Sequence, residues 1–320
     1  MRKLTKKITA TLGTLLVLSG CTLPGLGGSL TGEGISITGG SSTEMDMLGY
    51  IVEGMVEHYI DIDANVVTNM SSSMNHQAFM TGAANVSGVR YTGTSLTGEL
   101  GQEAITDPEE AERVVIEGFD EQFNQKWYPS YGFANTYAFM IRADTADEYG
   151  IERVSQLEAF KDEFSVGVDT NWMTREGDGY TAFTEIYGYE FDDIFPMSLG
   201  LLYTALASEE IDVGLGYSTD GQIVAENLVV LEDDLQLFPP YDASPVASYE
   251  VLEAYPKLDG ILLKLEGKID AEVMQNLNYT SEYYLLEPRT VAHNWLEENN
   301  FFEDAEPYVE PAEGGLLNND

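Results

Sequence analysis

The sequence is poor in cysteine, histidine and basic residues. It has one cysteine, three histidines, and 15 lysines and arginines against 55 aspartates and glutamates, which gives a formal net charge of -40. A surface of this charge disfavours nucleic acid and anionic lipid as direct partners. For most of these carboxylates we expect only a solvated surface that keeps the protein soluble. Adaptation to high salt and attraction of cations into a cleft are the functional alternatives.

Catalytic and metal-binding motifs are missing as well. The chain has no HExxH, CxxC, Walker or nucleophile-elbow pattern and no calcium loop of the EF-hand type. His58, His76 and His293 lie far apart in the sequence, and His58 and His293 fall at the end of and within predicted helices. We therefore expect no metal, no cofactor and no enzyme activity.

No apolar run at the N-terminus is long enough to span a bilayer permanently. The first seven residues carry four positive charges, residues 8–18 are apolar, and Leu18-Ser19-Gly20-Cys21 follows. Small residues before the only cysteine predict a lipoprotein signal peptide over residues 1–20 and a lipid on Cys21. Residues 21–33, rich in glycine, then form a flexible linker. We expect a protein tethered by lipid to the extracytoplasmic face of the cell membrane.

Strand-like and helix-like segments alternate from residue 34 onward. Residues 34–38 and 86–91 have strand character, whereas residues 44–59 place apolar side chains at helical spacing. This alternation favours an α/β fold with doubly wound sheets.

A second set of strand-like and helix-like segments begins near residue 164, and a helical stretch over 249–299 follows it. This order predicts two lobes with a ligand cleft between them. Lobe 1 comprises residues 34–138 and 242–302, lobe 2 is inserted as residues 139–241, and residues 303–320 form an acidic tail.

Four tyrosines stand where a strand-like segment meets a glycine, proline or aspartate turn. They are Tyr91, Tyr137, Tyr217 and Tyr241. A cation that has no hydrogen to donate is held best by the faces of aromatic rings. We expect the four rings to converge on such a cation in the cleft, with ordinary packing as the alternative for each of the 19 tyrosines in the chain.

Further contacts are predicted around this cage. The loop from Gly39 to Ser42, with Gly40 and Ser41 as its candidate residues, precedes the helix that begins near Glu44. Unpaired backbone N–H groups and the positive helix end favour a carboxylate there. A helix capped by its own side chains, with Ser41 and Glu44 at capping-box spacing, is the alternative. Thr94 and Asn135 are candidates for hydrogen bonds to a ligand. Met74 and Asn75 are further candidates for the cleft.

Taken together, these segments resemble the substrate-binding lipoproteins of Gram-positive ABC transporters for osmoprotectants, which bind glycine betaine, choline or carnitine. The similarity lies in residues 90–94, 130–139, 177–180, 217–221 and 238–242. It implies a two-lobed type II periplasmic-binding-protein fold and a cage formed by the four tyrosines. It also implies a membrane permease with a cytoplasmic ATPase as partner, and we expect a monomer.

Two other functions stay open at this point. One is a cell-surface enzyme that acts on choline-type groups with Asp178 or Asp220 as base, although it lacks a cofactor motif and a nucleophile–base pair. The other is an interaction lipoprotein of the cell wall. The sequence does not rank glycine betaine, choline and carnitine as ligands.

Overall fold

The computed structural model describes residues 34–175 and 177–302. The predicted signal peptide, Cys21, the linker and the acidic tail lie outside these described residues. Within them, no helix combines the length and the apolar character that crossing a membrane requires.

The described residues form ten strands. In chain order they are β1 Ser36–Thr38, β2 Asn65–Val67, β3 Val86–Tyr91, β4 Gln125–Trp127, β5 Tyr137–Arg142, β6 Ser165–Asp169, β7 Asp193–Met197, β8 Val213–Tyr217, β9 Leu228–Val230 and β10 Ala243–Ser248. They build two five-stranded sheets, the first in the order β2-β1-β3-β10-β4 and the second in the order β7-β6-β8-β5-β9.

Twelve α-helices connect and flank the sheets within the same residues. They are α1 Thr43–Ile60, α2 Ser72–Met80, α3 Thr92–Thr94, α4 Pro108–Phe123, α5 Ala143–Tyr149, α6 Tyr180–Tyr187, α7 Leu199–Ala207, α8 Gln222–Ala225, α9 Tyr249–Ala254, α10 Lys257–Leu263, α11 Ala271–Tyr283 and α12 Pro288–Glu298. Two sheets with helices around each confirm the predicted α/β class.

The strands of the second sheet all come from one continuous part of the chain. The first sheet uses strands from residues 36–127 and then β10, whereas all strands of the second sheet lie between Tyr137 and Val230. β10 runs antiparallel to β3 and β4, and β5 runs antiparallel to β8 and β9. The predicted lobe boundary at residue 138 falls inside β5, because Tyr137 and Ala138 pair with Tyr217 and Gly216 in the second sheet.

Helix α1 shows how the sequence positions the site. Its apolar residues recur at helical spacing and are buried against the first sheet, and each contributes about 1.5–3 kcal/mol by burial. The helix begins one residue later than the capping-box pattern predicts, since Ser42 and not Ser41 is the N-cap and its Oγ accepts from Met45 N at 3.3 Å. This start places Glu44 in the first turn of α1.

Candidate functional site

One cavity of about 520 Å³ collects the predicted cage residues. This volume lies within the range of small-molecule sites, roughly 300–1,000 Å³. All four predicted tyrosines line the cavity, as do Thr94 and Asn135. The rings come from ends of strands in both sheets: Tyr91 ends β3, Tyr137 begins β5 and Tyr217 ends β8, while Tyr241 precedes β10.

Tyr137 and Tyr217 form a stacked pair at the edge of the cavity. They are partners in the antiparallel pairing of β5 with β8, which brings their rings onto the same face. The ring centroids are 4.9 Å apart and the ring planes differ by 16°. The two tyrosines therefore present one aromatic wall.

Arg175 adds a cation to this wall. Its guanidinium carbon lies 5.4 Å from the ring centroid of Tyr137, and its Nη2 donates to the Tyr241 hydroxyl at 2.8 Å. Its Nε pairs with Asp178 Oδ1 at 2.5 Å, and Asp178 is buried. Among the described residues that line the cavity, Arg175 is the one cationic side chain.

Glu44 accepts hydrogen bonds from three other residues that line the cavity. Its Oε1 accepts from the Tyr91 hydroxyl at 2.6 Å and from Asn135 Nδ2 at 2.8 Å, and its Oε2 accepts from Asn278 Nδ2 at 3.1 Å. Burial raises the pKa of Tyr91 well above its ordinary value of 10.0, and the Glu44 carboxylate raises it further. Tyr91 therefore stays protonated and keeps donating to Glu44.

Two further acidic residues, Asp220 and Glu282, line the cavity. Burial raises the pKa of Asp220, the negative charge of Glu44 raises it too, and a hydrogen bond from the Tyr203 hydroxyl opposes them. Burial also raises the pKa of Glu282, and the charges of Asp220 and Glu44 add to the increase. The cavity is thus lined by aromatic rings, one guanidinium and three acidic side chains.

Of the loop predicted to receive a carboxylate, residues 39–42, only Ser42 lies in this cavity. Neither Gly40 nor Ser41 lines it, and Ser41 is exposed. The expectation of an unpaired N–H is wrong at Gly40, because this group donates to Asp46 Oδ1 at 3.0 Å. Ser42, the last residue of the predicted loop, lines the cavity together with Thr43.

Met74 and Asn75 do not line the cavity either. Both lie on α2, where Asn75 is buried and its Nδ2 donates to the Gly39 carbonyl at 3.0 Å, while the Met74 side chain is 54% exposed. This hydrogen bond of Asn75 thus connects the loop after β1 to α2.

Several cavity residues were not predicted from the sequence. Besides Arg175 and Glu44, these are residues that no sequence pattern singled out: Thr97, Gly98, Thr136, Thr219, Asn278 and Glu282. Asn278 and Glu282 carried a usable signal, since they are polar residues four apart on α11 and therefore share one face of that helix.

One cluster of described residues has the spacing of a metal site. Ligand atoms of Glu53, Glu57 and His293 lie within 4.8 Å of one another. Arg289 already pairs with Glu53 at 2.7 Å and with Glu57 at 3.4 Å, so one guanidinium offsets part of the negative charge of these two carboxylates. The absence of a metal stays a prediction.

Comparison with known proteins identifies the family. Residues 33–298 match the family described as the substrate-binding domain of ABC-type glycine betaine transport systems. The chain belongs to this family. The resemblance seen in the sequence is confirmed, and so is the predicted role as the osmoprotectant-binding component of an ABC transport system. Substrate-binding components of ABC importers work outside the cytoplasm, which agrees with the predicted extracytoplasmic location.

Individual members of the glycine betaine family are similar over most of the chain. The carnitine transport binding protein OpuCC of Listeria monocytogenes is 47% identical over 304 residues, which cover 93% of this chain and 98% of that protein. A glycine-betaine-binding protein of Pseudomonas aeruginosa is 30% identical over 285 residues, 86% of this chain and 90% of that protein.

A solved structure agrees with the fold. The crystal structure of a glycine betaine/carnitine/choline ABC transporter protein superposes with a TM-score of 0.82 at 44% identity. The match covers 84% of this chain and 100% of that one. The two-lobed architecture predicted from the sequence is therefore confirmed.

Proposed function

We propose that the protein captures quaternary ammonium osmoprotectants in a cage formed by Tyr91, Tyr137, Tyr217 and Tyr241 and delivers them to a membrane permease. The observation that carries this proposal is that four tyrosines, supplied by both sheets, line one cavity. Each ring face attracts a trimethylammonium group by roughly 0.5–2 kcal/mol and replaces the hydration of its methyl groups by apolar contact.

Arg175 is our candidate for the carboxylate of a zwitterionic ligand. Its guanidinium contacts two of the cage tyrosines, so a carboxylate that extends from a caged ammonium group comes close to it. Guanidinium and carboxylate groups form strong, directional hydrogen bonds. Thr94 and Asn135 are further candidates for ligand contacts. In this proposal Arg175 has the role that the sequence had suggested for Gly40 and Ser41.

Carnitine and glycine betaine are the zwitterions that the names of the relatives suggest. Choline, which has no carboxylate, is the cationic candidate. Glu44, Asp220 and Glu282 favour any ligand that carries positive charge, because the three carboxylates attract a cation into the cavity.

The setting of this function follows from the N-terminal motif and the family. We propose that Cys21 carries the lipid anchor and that the protein acts as a monomer. The permease and its cytoplasmic ATPase then move the released ligand inward. In this role the protein needs no cofactor and catalyses no reaction, and neither nucleic acid nor anionic lipid is a direct partner.

Calorimetry on the protein that begins at residue 21 tests the proposal. Glycine betaine, carnitine and choline form the panel, and proline, which has no quaternary nitrogen, is the control. We expect saturable binding of at least one quaternary amine and none of proline. Turnover of a bound compound would support the enzyme alternative, and absence of binding by the whole panel would contradict the proposal.

A further inference from the structure

Gly221 lies where the backbones of the two lobes touch. It follows β8 of the second sheet and caps α8, whose Ile223 packs in a core beside that sheet. The backbone of α11 lies against Gly221, and Met274 and Leu277 of α11 belong to the core of the first sheet. A contact at Gly221 is therefore a contact between the lobes.

A side chain at position 221 would not fit between the lobes. A Cβ atom on Gly221 would lie 2.6 Å from the backbone nitrogen of Tyr279 and 2.8 Å from its Cα, well inside van der Waals contact. It would also lie 3.0 Å from the carbonyl carbon of Asn278. All three neighbours are backbone atoms of a helix, so no side-chain rotation makes room for the added atom. The lobes would have to move apart.

The backbone conformation of Gly221 does not itself require glycine. Its φ is -61° and its ψ is -23°, in the right-handed helical region that is open to any L-residue. The close approach of α11 is therefore the reason that the structure gives for a glycine at this position.

Two hydrogen bonds beside this glycine also join the lobes. Gln275 Nε2 donates to the Ser218 carbonyl at 2.8 Å, and Asn278 Nδ2 donates to the Thr219 carbonyl at 2.8 Å. Both donors lie on α11, and both acceptors lie between β8 and Gly221. The two bonds therefore hold this segment of the second lobe against α11.

The contact lies beside the crossover between the lobes and next to the cavity. Ser218 N donates to the Thr136 carbonyl at 2.9 Å, and Thr136 directly precedes β5, the strand by which the chain enters the second sheet. Asp220 lines the cavity, whereas neither Gly221 nor Gln275 does. A wider spacing here would rotate one lobe relative to the other and move the cavity walls apart, without removing any group from the cavity.

From this arrangement we propose that Gly221 is a positioning residue for ligand capture, because its lack of a side chain lets the lobe of the second sheet close onto α11. The inference rests on the proposed function and adds to it a determinant of affinity outside the cavity. A ligand enclosed by walls from both lobes binds with an apparent affinity that scales with the fraction of molecules able to close. Keeping the lobes apart should therefore weaken every ligand by the same factor.

Calorimetry on Gly221→Ala with glycine betaine, carnitine and choline tests the proposal. Each ligand that the unaltered protein binds should bind this variant roughly tenfold more weakly, as when the closing fraction falls to about one tenth. The affinity ratios between ligands should stay the same. Gly200→Ala is the matched control, since Gly200 lies on α7 of the same lobe and a Cβ there meets no atom of another described element within 4 Å. Its affinities should equal those of the unaltered protein.

Two further measurements separate positioning from a role in folding. X-ray scattering with saturating ligand should give Gly221→Ala a larger radius of gyration than Gly200→Ala. Without ligand, Gly221→Ala should unfold at no lower urea concentration than the unaltered protein, because lobes that are apart leave room for the added methyl group. A clash inside a rigid fold would instead destabilise the ligand-free protein.

Gln275→Ala tests the same contact without adding an atom. It removes the donor to the Ser218 carbonyl and should weaken every bound ligand equally, by roughly two- to tenfold. Asn276→Ala is its control, because the exposed Asn276 amide donates to the Glu272 carbonyl within α11 and does not join the lobes. This control should leave the affinities unchanged.

The proposal is overturned if Gly221→Ala binds every ligand as tightly as Gly200→Ala, if the ratios between ligands change, or if the loss of affinity comes with unfolding at lower urea. If Gly221→Ala does not fold, equal affinities of Gln275→Ala and Asn276→Ala overturn it. Each of these results leaves the proposed function intact. Absence of binding of all three quaternary amines by the unaltered protein would overturn both.

Discussion

Tyr137 donates its hydroxyl to the buried carboxylate of Asp169, with 2.6 Å between Oη and Oδ2. Asp169 ends β6, so this bond joins the aromatic wall to the neighbouring strands of the second sheet. The other described donor to this oxygen, Asn171 Nδ2, lies at the longer distance of 3.4 Å. Tyr137 thus supports the second sheet in addition to its proposed place in the cage.

Because Tyr137 makes this bond to Asp169, we expect substitutions at Tyr137 and Tyr217 to differ in their effect on stability. Tyr217→Phe should bind ligand with less than about threefold loss, because the ring face remains, whereas Tyr217→Ala should lose roughly five- to thirtyfold. Tyr137→Phe should also retain its affinity but lower the free energy of unfolding by about 1–3 kcal/mol, since Asp169 loses its close donor. Calorimetry measures the affinities, and urea denaturation measures stability.

Tyr217→Phe is the control for Tyr137→Phe, since both changes remove one hydroxyl from the same stacked pair. Equal stability of the two variants would contradict the role assigned to the Tyr137–Asp169 bond. A loss of affinity in Tyr217→Phe as large as that in Tyr217→Ala would show that the hydroxyl, and not the ring, binds the ligand.

Replacing Arg175 should lower the affinity for zwitterions more than the affinity for simple cations. Arg175→Met should weaken carnitine and glycine betaine by roughly ten- to hundredfold, the effect of losing a charged hydrogen bond, and should weaken choline much less. Because Asp178 is buried beside Arg175, the double variant Arg175→Met with Asp178→Asn removes both charges and controls for instability. Equal losses for all three ligands would contradict a carboxylate contact at Arg175.

The raised pKa values predict how choline binding changes with pH. Protonation of Asp220 and Glu282 removes negative charge from the cavity, so affinity should rise as pH increases from about 4 through the raised pKa values of these groups. One charge at about 4 Å in water contributes about 1 kcal/mol, or roughly fivefold. Asp220→Asn and Glu282→Gln should each flatten the profile, and an unchanged profile in both variants would refute this assignment.

The raised pKa of Asp220 predicts that stability falls as pH rises, whereas choline affinity should increase. The pKa of Asp220 is raised above its ordinary value of 3.8, so between these two values the folded protein binds more protons than the unfolded chain. Stability contributed by this group therefore falls as pH rises through that window and is constant above it. Relative to Asp220→Asn, the unaltered protein should lose stability over this range, as urea denaturation at several pH values will show.

The lipid anchor is testable through Cys21. The protein expressed with its N-terminus should partition into the detergent phase, because a lipid on Cys21 retains it at the membrane. Cys21→Ala should be released into the aqueous phase or keep its signal peptide. Unchanged size and membrane retention of this variant would disprove the predicted lipoprotein signal.

The sequence predicted the tyrosines because Tyr91, Tyr137 and Tyr217 end or begin a strand and Tyr241 lies just before one. Hydrophobic residues that stop at a glycine, proline or aspartate turn are local signals, and Tyr91 and Tyr217 end strands in this way. β10 was not anticipated, because the two prolines before it indicate a break and its partner strands lie far away in the chain. The antiparallel pairing of β10 depends on tertiary structure, and the local sequence pattern does not predict it.

The remaining site residues could not be predicted without knowing the fold, for the same reason. Glu44 had the sequence signature of a capping residue, yet its carboxylate accepts from Asn278, which is 234 residues away. Gly40 and Ser41 were chosen because a loop before a helix suits an anion, but Asp46 from the helix itself takes the Gly40 N–H. The local sequence pattern predicts where the helix begins. It does not predict which residues at that end of the helix line the cavity.

The most direct test of the central claim compares choline with its uncharged analogue 3,3-dimethylbutan-1-ol. The two have the same shape, and a tert-butyl group replaces the trimethylammonium group. If the four tyrosines bind a cation through their ring faces, calorimetry should show choline bound at least about tenfold more tightly, since several faces each contribute roughly 0.5–2 kcal/mol. Equal affinities would mean that the cavity is merely apolar and would contradict the cage.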